Sequence, residues 1–278
     1  MKVYKTSHSF VVEIKNKVFA GQKFTNLSSF TKTNKGFTAI KHNTAIGYDM
    51  LINISEDFKT LHYYPIKTKS SNNITLHANS ITYADDYLYI ATMNNLSEGP
   101  TIIKVDFNGN VVDEYYFYKD NKKRTVTAID YFGEVDGEKV FIFKGDFIAS
   151  GSSYQYSSYD FVRISNKLHR FVYNGKTFKS NIRIPVNYIG NDITYDKENK
   201  LLYETYFIRD EDNSIKTSYI YAGSFNKDSN ILNVSKQWKT TANPEDKMFE
   251  VEAFLVHKNK KYVVANCAKD GIYRIINM

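Results

Sequence analysis

The stretch HANSITYADDYLYIATMNN, residues 77–95, decides the fold predicted for this chain. It contains a polar start, an apolar strand, a two-residue turn at Asp85-Asp86 and a second, aromatic strand. Alternating apolar residues on both sides of a short polar turn are typical of a β-hairpin. The start is unusual because His77 and Asn79 precede a strand that is apolar enough for a protein core.

The same pattern recurs along the chain, at a spacing typical of propeller blades. The other copies are GFTAIKHNTAIGYDMLINI from Gly36, VTAIDYFGEVDGEKVFIFKG from Val126, NDITYDKENKLLYETYFI from Asn191 and EVEAFLVHKNKKYVVANC from Glu250. Three copies are followed by a second pair of strands: TIIKVDFNGNVVDEYYFY, with a turn at Asn108-Gly109, YDFVRISNKLHRFVYNGKTFKSNIRI, with a turn expected at Asn174-Gly175, and TSYIYAGSFNKDSNILNVSKQW. Asn-Gly between apolar runs is a strong hairpin signal, and four strands per unit indicate a β-propeller.

The repeat predicts a single all-β domain over residues 1–278, with almost no helix. Its units are marked by Ile40, Ile81, Ile129, Ile193 and Ala253. Only three strands fit after Ala253, so we expect the N-terminal segment HSFVVEIKNKVFAG to supply the fourth strand and close the ring. Five blades are the prediction, and six are the alternative if residues 8–35 form a blade of their own.

Composition limits the class of protein. The 278 residues carry a formal net charge of +7, which permits an anionic partner, and Cys267 as the one cysteine excludes a disulfide within the chain. No apolar run reaches the roughly 18 residues of a membrane-spanning helix. The opening MKVYKTSHSFVVEIKNK lacks the apolar stretch of a secretory signal. We therefore expect a soluble protein that is extracellular by a non-classical route, or cytoplasmic.

The polar strand starts predict a site, because the first strands of propeller blades line one channel. The candidates for binding a polar ligand there are His77, Asn79, Asn191 and Asp192. Oxygen-rich side chains also suit calcium, for which Asn79, Asn191, Asp192 and Glu250 are the candidate ligands. The alternative is a network that satisfies backbone groups and channel waters.

A tyrosine-rich segment gives a second candidate surface. ASGSSYQYSSYD, residues 149–160, alternates tyrosine with small polar residues, as binding loops of antibodies do. Tyr154, Tyr156 and Tyr159 are predicted to stack on sugar rings or on a protein partner. The basic clusters KDNKKRT and HKNKK are separate and lack interleaved aromatic residues, so a nucleic-acid partner is not favoured.

Common catalytic motifs are missing from the sequence: no serine-hydrolase elbow, phosphate-binding loop or zinc signature occurs. For an enzyme, the candidate acid–base residues are His77, Asp192, Glu250 and Glu252. A histidine is suited to proton transfer near neutral pH, because its ordinary pKa lies there.

Two segments resemble the helveticin-J-type large bacteriocins: LHANSITYADDYLYIATMNN, residues 76–95, and FEVEAFLVHKNKKYVVANC, residues 249–267. In that family an HA strand start leads to an IAT..NN strand end, and an EVE start lies near the C-terminus. The resemblance covers two of the five units. It implies a secreted or lysis-released antibacterial protein that acts at the envelope of related bacteria, and it supplies no catalytic residue.

The segment ANSITYADDYLYIAT, residues 78–92, is also similar to strand starts of the metal-dependent lactonase and gluconolactonase propellers. That similarity implies a channel calcium held by residues of the types found here at Asn79, Asn191, Asp192 and Glu250. Those enzymes usually have six blades, unlike the five units counted here.

The function predicted from the sequence is non-enzymatic binding of a cell-envelope glycopolymer or a small polar ligand, without a cofactor. The alternative is a calcium-dependent lactonase or esterase, or a five-bladed glycosidase, with its site at the channel mouth.

Overall fold

The computed structural model describes residues 2–43, 48–66, 77–92, 99–165, 167–210, 214–215, 217–241 and 248–278, without the side chains of Gln22 and Tyr48. These residues form 27 strands and no helix. Within this part of the chain nothing resembles a helix long and apolar enough to cross a bilayer.

The strands are numbered in chain order. The first fourteen are β1 (Val3–Lys5), β2 (Ser7–Glu13), β3 (Lys17–Phe19), β4 (Gln22–Phe24), β5 (Asn26–Thr33), β6 (Gly36–Asn43), β7 (Tyr48–Ile54), β8 (Leu61–Pro65), β9 (Ala78–Ala84), β10 (Tyr87–Thr92), β11 (Ile102–Val105), β12 (Val111–Lys119), β13 (Lys122–Lys123) and β14 (Ile129–Val135). The remaining ones are β15 (Glu138–Lys144), β16 (Ile148–Ala149), β17 (Tyr154–Tyr156), β18 (Ser158–Ser165), β19 (Arg170–Ser180), β20 (Ile184–Pro185), β21 (Tyr188–Asp196), β22 (Leu201–Ile208), β23 (Thr217–Asn226), β24 (Ile231–Thr241), β25 (Phe249–His257), β26 (Lys260–Cys267) and β27 (Gly271–Ile276).

The chain divides into two compact units. Unit 1 comprises residues 1–14, 144–160 and 176–278, and unit 2 comprises residues 15–143 and 161–175.

Unit 2 contains two antiparallel sheets of four strands and most of a third four-stranded sheet. Sheet A has the order β5-β6-β7-β8, sheet B the order β9-β10-β11-β12, and sheet C the order β14-β15-β18-β19, of which residues 144, 158–160 and 176–180 are assigned to unit 1. The turn predicted at Asp85-Asp86 is confirmed, since both residues have positive φ, 48° and 63°. In the core of unit 2, the ring centroid of Phe171 lies 5.3 Å from that of Phe141 and 4.9 Å from that of Phe143.

Two sequence predictions for this unit are wrong. The hairpin from Gly36 does not begin its sheet, because the preceding strand β5 comes first and the Gly36 strand is the second. Likewise, no turn forms at Asn174-Gly175, since β19 runs through both residues and its turn comes earlier, at residues 167–169. Gly175, with φ of 82°, lies inside that strand.

Unit 1 contains two further sheets of four strands. Sheet D has the order β21-β22-β23-β24, and sheet E the order β2-β27-β26-β25. Strand β2 pairs antiparallel with β27 from Ser7–Ile276 to Glu13–Gly271, so the N-terminal segment completes the last sheet as predicted. The small sheet F has the order β16-β17-β20. Residues 8–35, considered above as a sixth blade, are divided among sheet E, the β3–β4 hairpin and sheet A.

Sheets of four strands, most of them neighbours in sequence, are the building units of a β-propeller, and the all-β propeller class is confirmed. The blade number stays a prediction. The last strands of the sheets also make parallel pairs: β12 with β19 in unit 2, and β19 with β24 and β24 with β1 in unit 1. These pairs use strand edges that would otherwise expose unpaired backbone groups.

Candidate functional site

Four of the polar residues at the strand starts occupy β-bulges: Asn79, Asn191, Asp192 and Glu252. Between β9 and β10 the register passes from Ala78–Thr92 to Ser80–Ala91, which leaves Asn79 as an extra residue. The register shifts in the same way in β21, where Asn191 and Asp192 lie between Gly190 and Ile193, the two residues that pair regularly with β22. In β25, Glu252 is the extra residue between Val251 and Ala253, which pair regularly with β26. A bulge redirects a side chain away from the regular alternation, which is why these positions are polar although the strands are apolar.

The two bulged asparagines form the same kind of bond in both units. In unit 2, Asn79 Nδ2 donates to the carbonyl oxygen of Thr127 at 2.6 Å, and in unit 1, Asn191 Nδ2 donates to that of Val251 at 2.9 Å. Each bond reaches the start of the next sheet along the chain. These amides therefore satisfy backbone groups, in agreement with the network alternative for this pair.

Three of the predicted carboxylates come together in unit 1. Glu252 is partly buried, and its Oε1 accepts a hydrogen bond of 2.6 Å from Asn266 Nδ2. Burial raises the pKa of Glu252 well above its ordinary value, and the charges of Glu250 and Asp192 raise it further. The pKa of Glu250 is also raised by burial, partly offset by Arg209.

The calcium ligand set receives no support from this geometry. Among the described residues, no three histidine, cysteine, aspartate or glutamate side chains are arranged to hold a metal ion. Asp192 Oδ1 already accepts a 2.8 Å bond from the Ile193 backbone N–H. Asn79 belongs to unit 2 and Asn191, Asp192 and Glu250 to unit 1, so the four-residue set stays a prediction.

His77 has a neighbour that the sequence analysis missed. His42 Nδ1 lies 2.7 Å from Asp49 Oδ1, and both side chains are almost fully buried. The His42 ring lies 4.3 Å from that of His77, and Asp49 Oδ2 accepts a 3.2 Å bond from the Ala78 N–H. Burial and the adjacent His42 lower the pKa of His77, while burial raises that of Asp49. No sequence pattern marks His42, because it lies near the end of β6 and not at a polar strand start.

Tyr159 does not belong to the binding surface predicted for it. It is 1% exposed, and its hydroxyl donates to Glu204 Oε2. Glu204 Oε1 lies 2.8 Å from Lys144 Nζ, with both side chains buried, although the ammonium makes no well-aligned hydrogen bond among the described residues. The alternation of tyrosine with small polar residues does not reveal this role. Strand β18 begins at Ser158, so Tyr159 belongs to a buried strand and not to the loop before it.

Tyr154 and Tyr156 are placed differently, on the small sheet F. Tyr154 is 44% exposed, and its ring centroid lies 5.3 Å from Arg183 Cζ. Tyr156 is partly buried, with Lys179 Nζ 3.9 Å from its ring centroid. Ile148 and Val186 are exposed on the same segments. Sheet F thus presents two aromatic rings, each with a cation beside it.

Comparison with known proteins assigns no family. No family model matches the chain, and no curated protein matches it. Among solved structures, a member of the DUF4221 family from Bacteroides vulgatus has a TM-score of 0.48 at 9% identity, covering 100% of this chain and 98% of that one. The Malassezia sympodialis allergen Mala s 1 has a TM-score of 0.44 at 11% identity, with coverage of 90% and 78%.

The Nup133 β-propeller domain of Vanderwaltozyma polyspora has a TM-score of 0.40 at 12% identity, with coverage of 93% and 72%. Similarities at this level assign no function, and the fold class given above rests on the strand order.

Proposed function

We propose that this protein is a non-enzymatic binding protein that holds an anionic glycopolymer of the bacterial cell envelope on sheet F. The observation that carries the proposal is the pairing of each of these two tyrosines with a cation, exposed Tyr154 with Arg183 and partly buried Tyr156 with Lys179. Tyrosine rings offer flat, rigid contact area to sugar rings. Arginine and lysine beside them can pair with phosphate or carboxylate groups along the same polymer.

The resemblance to helveticin-J-type bacteriocins supports an antibacterial role at the envelope. One of its motifs, the NN strand end at residues 94–95, lies outside the described residues. The net charge of +7 supports the choice of an anionic polymer over a neutral one.

Binding to isolated bacterial cell walls tests this proposal. Walls are used untreated and after hydrofluoric acid, which removes polymers linked through phosphodiesters. We expect the protein to sediment with untreated walls and not with treated ones. The double variant Tyr154→Ala/Tyr156→Ala should lower the apparent affinity about tenfold or more, as truncation of aromatic anchors does.

The matched control is Tyr118→Ala in unit 2, which removes another exposed tyrosine, 39% exposed and 5.9 Å from Arg170 Cζ. This variant should bind as the unchanged protein does. Equal binding of the double variant and the control would refute the assignment to sheet F, and equal binding to both wall preparations would refute the phosphate-bearing polymer.

A second candidate function, acid–base hydrolysis, is favoured by the contact of His77 with the His42–Asp49 pair. The lowered pKa of His77 keeps its ring neutral near pH 7, which is the form that accepts a proton from water. A screen with lactones and aryl esters tests it. Activity that is lost in His77→Gln but kept in the exposed control His169→Gln would support hydrolysis, and an inactive purified protein would exclude it for these substrates.

A further inference from the structure

Unit 2 contains a cavity of about 350 Å³ that neither candidate function uses. It lies beside the turns that join β5 to β6, β7 to β8 and β11 to β12. Its volume is at the lower end of the range for small-molecule sites, which suits a ligand of monosaccharide size.

Two glycines allow the walls of this cavity to approach each other. Gly36 has φ of 127° and Gly109 has φ of 79°, values that side-chain-bearing residues rarely adopt. A Cβ on Gly36 would overlap the carbonyl oxygen of Ile54, and one on Gly109 would overlap that of Pro65. These close contacts hold the β5–β6 turn against the end of β7 and the β11–β12 turn against the end of β8.

One amide side chain joins the two sheets at the cavity. Asn53 Oδ1 accepts a 3.0 Å hydrogen bond from Thr38 Oγ1, within sheet A. Asn53 Nδ2 donates to the carbonyl oxygen of Phe107, on the turn of sheet B, at 2.7 Å. The cavity wall is therefore held by side-chain bonds as well as by backbone contacts.

The chemistry of the lining is aromatic and cationic. Tyr64 and Phe107 contribute rings, and Lys35 and His62 contribute nitrogen groups. No aspartate or glutamate occurs among the described residues that line the cavity. This set differs from an ordinary polar surface, on which charges of both signs are mixed.

Lys35 differs from the nearby lysines in its partners. Lys32 Nζ lies 2.8 Å from Glu56 Oε2, and Lys59 Nζ lies 3.7 Å from Asp57 Oδ2. Lys35 Nζ lies 4.5 Å from the ring centroid of Phe107, and no acidic side chain of the described residues forms an ion pair with it. Its charge is available to a ligand that rests against the same ring.

We propose that this cavity binds a monosaccharide-sized ring that carries a carboxylate or a phosphate. The ring would lie against the aromatic side chains, and its anionic group would pair with Lys35. The cavity shares no residue with sheet F, so a failure of ligand binding here would leave the proposed binding to cell walls untouched, and the reverse also holds.

Titration of the whole protein with glucuronate, glucose 6-phosphate, glucose and benzoate tests the proposal, with calorimetry and saturation-transfer NMR as readouts. We expect the two sugar anions to bind and neutral glucose to bind more weakly. Lys35→Gln should weaken their binding about 10- to 100-fold, the factor for a lost hydrogen bond to a charged group. The control Lys59→Gln, from a neighbouring turn, should bind as the unchanged protein does.

A second variant separates the cavity from loss of folding. Thr60 is exposed at the cavity wall, so Thr60→Trp fills the space without disturbing the core and should abolish binding. The proposal is overturned if neither sugar anion binds, if glucose binds equally well, or if both variants keep full affinity. Binding of benzoate alone would replace the sugar with an aromatic acid and overturn the ligand class.

Discussion

At Glu252, burial and nearby negative charge act in the same direction. The residue is bulged out of β25 and partly buried, and Glu250 and Asp192 lie close enough to raise its pKa further. Because the folded pKa lies above the unfolded value, the folded protein binds more protons than the unfolded chain in the intervening pH range. The free energy of unfolding therefore falls as pH rises from about 4.5 through the folded pKa.

Glu252→Gln should remove this part of the pH dependence. Glutamine is neutral at every pH and keeps an oxygen to accept the bond from Asn266. We expect the gain in Tm over the unchanged protein to be at least about 3 °C larger at pH 8 than at pH 4.5. Glu198→Gln on the exposed surface is the control for the loss of one charge, and parallel melting curves for both variants would contradict the argument.

A second test at this scale concerns the buried pair of Lys144 and Glu204. Lys144→Met leaves a carboxylate buried without its cation, which typically costs about 3–5 kcal/mol of unfolding free energy. The exposed ion pair of Lys59 with Asp57 offers a matched comparison. Lys59→Met should lower the free energy of unfolding by less than about 1 kcal/mol. Urea denaturation measures both. Equal losses would mean that the Lys144 ammonium is solvated.

The site residues that could be predicted from the sequence are polar residues within otherwise apolar strands. Asn79, Asn191 and Glu252 stand out because a polar side chain interrupts an apolar run, and they occupy bulges. Tyr159 could not be placed, because a tyrosine that donates to a buried carboxylate looks identical in sequence to one on a surface. The His42–Asp49 pair depends on two strands meeting, which no local pattern encodes.

Among the elements, β2 has the largest separation from its partner in sequence. It forms the edge of sheet E beside β27, with His8 stacked on Phe249 at 3.9 Å between ring centroids. Its seven residues supply backbone bonds to a strand that would otherwise be an open edge.

Deleting residues 2–13 should lower the midpoint of thermal unfolding and expose the β27 edge. A synthetic peptide with the sequence of residues 2–13, added in excess, should restore the midpoint in a concentration-dependent way, since it binds only the folded chain. A peptide of the same composition in scrambled order is the control. Unchanged melting after the deletion would show that β2 contributes nothing to sheet E.

Turn signals predicted the elements well where a turn needs positive φ at two positions, as at Asp85-Asp86. They failed at Asn174-Gly175, because a glycine with positive φ is also compatible with the middle of an irregular strand. The missed strand β5 carries NLSSFTKT, whose serines and threonines do not look apolar although its side chains are largely buried.

At the scale of the whole molecule, the charge of +7 is spread over many separate lysines and arginines. Attraction of such a surface to a polyanion is long-range and is screened by salt, with a Debye length near 10 Å at 0.1 M. Binding in the proposed cavity of unit 2, in contrast, depends on a single short-range ion pair between the ligand's anionic group and Lys35.

Binding to untreated cell walls should therefore weaken about tenfold or more between 50 mM and 500 mM sodium chloride, because screening removes long-range attraction. Sedimentation with walls at several salt concentrations measures this. The double tyrosine variant should show the same salt dependence at a lower affinity. Retention that does not change with salt would mean that the polymer is recognised without its charge.

The pairing of β1 with β24 and of β2 with β27 also has a consequence for biosynthesis. Val3 meets Gln237 and Ser7 meets Ile276, so these strands have no partner until most of the chain has left the ribosome. Until β27 has been synthesised, Phe10, Val11 and Val12 form an unpaired apolar segment. Strands β1 and β2 are thus synthesised before their partners and fold only with them, and this stretch of the nascent chain is where a chaperone would be needed.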